Sequence, residues 1–332
     1  MRPALPFAAS LALLATPSLA EAPRVIADTP PVHSLVVRVM EGVGTPELLL
    51  PPGGSPHDAA LRPSDARRLS QADLMVWTGP ALLPWLPESL EALAPEARSL
   101  ALLETEGWEA LPLRHDPAFD TGPHDGHGHG HDEDDDHDAH DDDHGDDHDH
   151  DHDAMHGGDA GARQDPHAWL DPQVAAVWME QLAEELARAD PENAGLYRDN
   201  AAAAIAADAG MSDRIAARLA PLAGRPYLVP HDAYQYFETR FGLPAAGAIA
   251  LSDATAPGAA RLTALRERVE AGDIACVLSD PETPADLVTL LREGTGAATA
   301  ATDPAGLGLT PGPDLYPALI EGLAQAFEEC LG

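Results

Sequence analysis

Three histidines far apart along the chain share one kind of local setting. His57 follows the apolar run Leu48-Leu49-Leu50 and a proline- and glycine-rich loop, His167 stands in Asp165-Pro166-His167, and His231 stands in Val229-Pro230-His231-Asp232. Each lies just past a strand-like or turn segment, beside a proline whose fixed φ stiffens the loop. Neutral imidazole nitrogen binds Zn(II) at about 2.0–2.1 Å, and three such ligands leave a fourth position for a carboxylate or a water. Asp303, in Thr302-Asp303-Pro304-Ala305-Gly306, is the candidate for that position; its competing role is to shape a turn before proline and glycine. A lone histidine so placed is most often a hydrogen-bonded structural residue. Apart from the segment described next and its flanks, the only other histidine is His33, so a body poor in imidazoles puts most of them in equivalent places. Asp58 and Asp232 each follow one of these histidines and are expected to orient the imidazoles.

A second chemistry is concentrated between residues 116 and 164. His124, His127, His129, His131, His137, His140, His144, His148, His150, His152 and His156 stand there among aspartates and glycines, with almost no aliphatic side chains. Such a segment buries too little to fold and is expected to be a disordered insert. Its imidazoles are expected to bind several divalent ions weakly and exchangeably, since no geometry is imposed before the metal arrives.

The elements that must position these residues alternate between strand and helix. A strand over residues 25–27 and a helix over 31–43 are followed by strand-like 47–50, a helix from Ser64 and strand-like 73–77. That places His57 past the carboxyl end of a strand, where open α/β sheets hold ligands. Helical periodicity over 174–189 leads to an alanine-rich helix from Pro191 to about Leu219. At 1.5 Å per residue that helix spans roughly 40 Å, enough to connect two lobes. Strands over 227–229, 246–250, 274–278 and 297–301 then alternate with helices over 233–241 and 258–271, from Pro284 and from Leu315. The expected fold is therefore α/β, with two Rossmann-like lobes joined by one long α-helix and the metal site in the cleft between them. The domain reading is a signal peptide over 1–20, a first lobe over 21–190 carrying the insert, a linking helix over 191–220 and a second lobe over 221–332.

Composition narrows the partners. The formal net charge is -37 and lysine is absent, a surface that repels nucleic acid and anionic membrane. The start Met1-Arg2, an apolar run to Ala15 and Pro17-Ser18-Leu19-Ala20 read as an export signal cut after Ala20, too short to be an anchor. Cys276 and Cys330, an even pair in an exported chain, read as a disulfide worth about 2–4 kcal/mol.

Taken together, several motifs resemble the zinc-specific solute-binding proteins of bacterial ABC importers, the group with a rigid linking helix. They are Pro51-Pro52-Gly53-Gly54-Ser55-Pro56-His57-Asp58, Asp73-Leu74-Met75-Val76-Trp77-Thr78-Gly79-Pro80, Asp165-Pro166-His167-Ala168-Trp169-Leu170-Asp171-Pro172 and Val229-Pro230-His231-Asp232-Ala233-Tyr234. The resemblance covers essentially the whole mature chain. It implies three imidazole ligands from the loops of His57, His167 and His231, and a carboxylate where Asp303 lies. It also implies a periplasmic, non-enzymatic monomer that carries Zn(II) to an inner-membrane permease, with a periplasmic metallochaperone as a further partner. Some members carry a glutamate before the first histidine, where this chain has Pro56, which turns attention to Asp303 or water. Related manganese binders usually have glutamate at the position of His231, and imidazole there favours zinc. Two alternatives remain: a zinc hydrolase, which lacks a His-Glu-x-x-His motif here, and a metal buffer or chaperone without a transporter.

Overall fold

A computed structural model describes residues 22–50, 61–114, 119, 164–251 and 256–332. His57, Asp58, the expected signal peptide and the insert histidines lie outside these residues.

The first sheet is built from β1 (Val25–Ala27), followed by helix α1 (Pro30–Val39), β2 (Glu47–Leu48), α2 (Pro63–Leu69), β3 (Leu74–Trp77), α3 (Leu86–Leu93) and β4 (Arg98–Ala101). Its strands are all parallel, in the order β2-β1-β3-β4. The short, wholly buried runs of β1 and β3 suit a parallel sheet covered on both faces. The chain then enters α4 (Pro172–Ala189) and the long α5 (Ala194–Leu219). Asp171 caps α4 by accepting the Gln173 amide at 2.8 Å, with Pro172 in the first turn. Pro191 stands in the turn before α5, which begins three residues later than its proline suggests.

The second sheet comprises β5 (Tyr227–Val229), α6 (Gln235–Phe241), β6 (Gly247–Ala248), α7 (Ala259–Glu270), β7 (Cys276–Val277) and α8 (Ala285–Arg292), and the described chain closes with α9 (Leu315–Leu331). It is also parallel, in the order β6-β5-β7. The run expected as a strand over 297–301 contributes only isolated bridges, Cys276 to Ala298 and Ser279 to Ala301. Its Ala-Thr-Ala-Ala character offers no large β-branched packing to extend the ladder.

The architecture is the expected α/β pair of parallel sheets with a long helix. One buried cluster runs through both halves, including Trp169, Trp178, Tyr197, Tyr227, Phe237, Tyr316 and Phe327, and a smaller one sits under α7 and α8. Helix α5 packs against α1, α4 and α9, and a buried ion pair pins it: Arg38 on α1 reaches Asp208 on α5 at 2.7 Å and also donates to the Ala204 carbonyl. Cys276 and Cys330 form the expected disulfide, with Cα atoms 5.6 Å apart, tying α9 to β7. No described helix is long and apolar enough to cross a membrane.

Candidate metal site between the two sheets

His167 is held by a short ribbon. Pro112 and Gln164 form an antiparallel bridge, and the Asp165 amide donates to the Leu111 carbonyl at 2.9 Å. That brings together residues 111–114 and 164–167, the two roots of the insert. Asp165 then bends back on its own loop, one carboxylate oxygen accepting the His167 amide at 2.9 Å and meeting Nδ1 of the same ring at 2.8 Å. Pro166 between them favours this tight geometry. A single 3-10 turn, Ala168–Leu170, follows, and the Trp169 ring packs edge-on at 5.3 Å from His167.

His231 is held by the second sheet. It follows β5, the strand at which the order reverses, with β6 on one side and β7 on the other. Ligands of open α/β sheets bind at such a switch point, outside the carboxyl ends of the strands. Asp280, just past β7, places Oδ2 3.0 Å from Nδ1 of His231. Its other oxygen accepts the amides of Glu282 and Thr283, while the Tyr234 hydroxyl meets Oδ2 at 3.4 Å and Thr302 at 2.7 Å. Burial pushes the Asp280 carboxyl up, but the hydrogen bond and charge of His231 and the bonds from Thr283 outweigh it, so it lies below the usual carboxylate range.

The two rings, one from the ribbon before α4 and one from the loop after β5, lie 5.7 Å apart between centroids and are both buried. With Nδ1 of each imidazole donating to a carboxylate, Nε2 carries the lone pair that a metal takes up. This is the carboxylate–imidazole–metal arrangement that fixes the tautomer and raises ligand basicity. Among the described residues no three His, Cys, Asp or Glu side chains are grouped to hold an ion; the third expected imidazole, His57, lies outside them.

The carboxylates sort differently from their sequence neighbourhoods. Asp232, expected to orient an imidazole, instead faces Arg114, whose Nε lies 2.9 Å from both of its oxygens. The carboxylates at His231 and His167 are Asp280 and Asp165. Asp165 has a local signal, two residues before its histidine across a proline; Asp280 is 49 positions from His231 and has none. Asp303 accepts the amides of Leu307 and Gly308, each at 2.8 Å, one on each oxygen. That is the work of a turn-shaping aspartate, and Trp169 ties the same loop to the first half by donating to the Pro304 carbonyl at 2.8 Å. His33 accompanies none of these groups; it is buried on α1, with Nε2 3.2 Å from the Pro46 carbonyl.

Comparison with known proteins gives the family of the chain. Residues 25–330 match the model of the family described as ZnuA, zinc-uptake complex component A, periplasmic. The chain is 44% identical over 329 residues to the high-affinity zinc uptake system protein ZnuA of Paracoccus denitrificans, covering 99% of this chain and 98% of that one. It is 40% identical over 307 residues to the protein of the same name from Brucella abortus, covering 92% and 91%. In fold it resembles a crystal structure of ZnuA, with a TM-score of 0.68 at 20% identity, covering 92% of this chain and 99% of that one. The chain therefore belongs to the family of periplasmic zinc-uptake components, ZnuA.

Proposed function

We propose that this chain captures a single Zn(II) between its two sheets and delivers it to the permease of an ABC-type importer. Zinc is the cargo, bound by His57, His167 and His231, with the fourth position taken by Asp303 or a water. The observation that supports this most directly is the convergence of His167, from the loop before α4, and His231, from the loop after β5, each with Nδ1 on a carboxylate. Membership of a binding-component family displaces the hydrolase alternative. Capture and release then require no bond chemistry, only neutral imidazoles and a route out.

The remaining expectations belong to the same reading. The chain is exported by residues 1–20 and acts in the periplasm as a monomer, with a periplasmic metallochaperone as a further partner. Residues 21–190, 191–220 and 221–332 serve as first lobe, linking helix and second lobe. The imidazoles of the insert collect zinc and pass it to the tight site, or sense its abundance, while the dispersed site sets the affinity. Titration calorimetry of the full mature chain and of a form lacking residues 124–156 tests this division. One tight equivalent in both, with the weak equivalents lost on deletion, is the expected result; loss of the tight equivalent on deletion refutes it. Replacing His167 or His231 by alanine removes the tight equivalent.

A further inference from the structure

Arg114 reaches across from the first half of the molecule to the second. Its guanidinium meets two carboxylates there. Nε lies 2.9 Å from both oxygens of Asp232, Nη2 also donates to Asp232, Nη1 lies 2.9 Å from Glu238 on α6, and Nη2 lies 3.1 Å from the second Glu238 oxygen. Both carboxylates are buried, and Phe119 covers the guanidinium with its ring 3.6 Å from Cζ. Burial raises both carboxyls, and Arg114 offsets this only in part. A planar fork of five donors is well matched to two carboxylates at once.

Two features place this triad in the metal site's mechanics. Asp232 directly follows His231, so a guanidinium gripping Asp232 grips the loop that presents that imidazole. On the other side, Arg114 lies two residues past Pro112, whose bridge partner Gln164 leads into Asp165 and His167, and the neighbouring Leu111 donates its amide to the Tyr236 hydroxyl at 2.9 Å. One continuous path thus runs from the backbone of His167, through the ribbon and Arg114, to the backbone of His231.

We infer that Arg114 is a positioning residue for zinc: its bridge to Asp232 and Glu238 fixes the separation of the His167 and His231 imidazoles and thereby sets how slowly the ion leaves. The inference rests on the proposed zinc site and assigns the control of release to a residue that is itself no ligand. Outer partners of ligating histidines change metal affinity by about tenfold to a hundredfold when removed, and that is the size expected here.

The test uses the full mature chain loaded with Zn(II), chased with a chromophoric chelator, and the same chain loaded with Co(II), whose visible bands report ligand geometry. Wild type is measured first: absence of one tight zinc equivalent there defeats the zinc-capture reading itself. Given that equivalent, Arg114→Gln is expected to release zinc at least tenfold faster and to shift the Co(II) bands. Arg114→Lys, with the charge but not the fork, is expected to recover part of both. Asp232→Asn, which keeps the side-chain shape and removes the charge that Arg114 grips, carries the same test in the same direction should Arg114→Gln fail to fold. Wild-type release rates and Co(II) bands in these folded variants, with only thermal stability reduced, would overturn the inference and leave the triad a purely structural clasp.

Discussion

At the scale of single residues, an imidazole makes a good ligand only when its second nitrogen is held. Asp165 and Asp280 do this for His167 and His231. Exchanging either for asparagine keeps the shape but removes the charge that favours the donating Nδ1–H tautomer. Asp280→Asn is expected to weaken zinc binding by about tenfold to a hundredfold with stoichiometry unchanged at one, read by competition against a chelator of known affinity; an unchanged affinity contradicts the orienting role. The histidines were legible in the sequence because proline and strand ends mark their loops. Their carboxylate partners were less so, because adjacency in sequence is a poor guide past a turn. The backbone beyond β5 directs Asp232 to Arg114, and the carboxylate that meets His231 comes from the far side of the neighbouring strand.

At the scale of elements, the stretch leading to His57 is anchored from both sides. Leu49 and Leu50 donate their amides to Ala27 and Asp28 beside β1, and on α2 Arg68 donates to the Leu48 and Leu49 carbonyls while pairing with Asp65 at 2.8 Å. Burial raises the Asp65 carboxyl, but the hydrogen bonds from Arg68 and the Arg62 amide, with both guanidinium charges, outweigh it and hold it below the usual carboxylate range. A folded-state value below the unfolded one means the stabilisation is complete above about pH 4 and is lost as pH falls through the folded value. The protection of α2 amides against exchange, corrected for the intrinsic rate, is therefore expected to fall below about pH 4 ahead of α4 and α5, and protection there that is flat through this range contradicts it. Most elements could be read from periodicity, and the long helix was clear from its alanine-rich composition. Helix α3 and strand β4 were not: Pro84 and Pro87 punctuate the start of α3, although proline is tolerated in a first turn, and Arg98-Ser99-Leu100-Ala101 has neither β-branching nor a buried face.

At the scale of the whole molecule, the halves are joined by much more than one helix. Arg240 on α6 grips Asp171 with a two-pronged contact at 2.6 and 2.7 Å, Tyr316 on α9 donates to the Trp169 carbonyl, and Ser34 on α1 donates to the Gly312 carbonyl and accepts the Tyr316 amide. With a continuous core beneath them, these contacts oppose a wide hinge. Solution scattering of zinc-loaded and zinc-free chain is expected to give the same radius of gyration within about 1 Å, against the larger change of hinge-closing binding proteins; a clear contraction on loading contradicts a rigid frame. The central claim is that imidazoles from the two halves share one ion. Anomalous scattering at the zinc edge from crystals of the loaded chain tests it directly. One strong peak is expected about 2.1 Å from Nε2 of both His167 and His231, with His57 as the third imidazole; a peak bonded to only one of these two rings, or to neither, contradicts it.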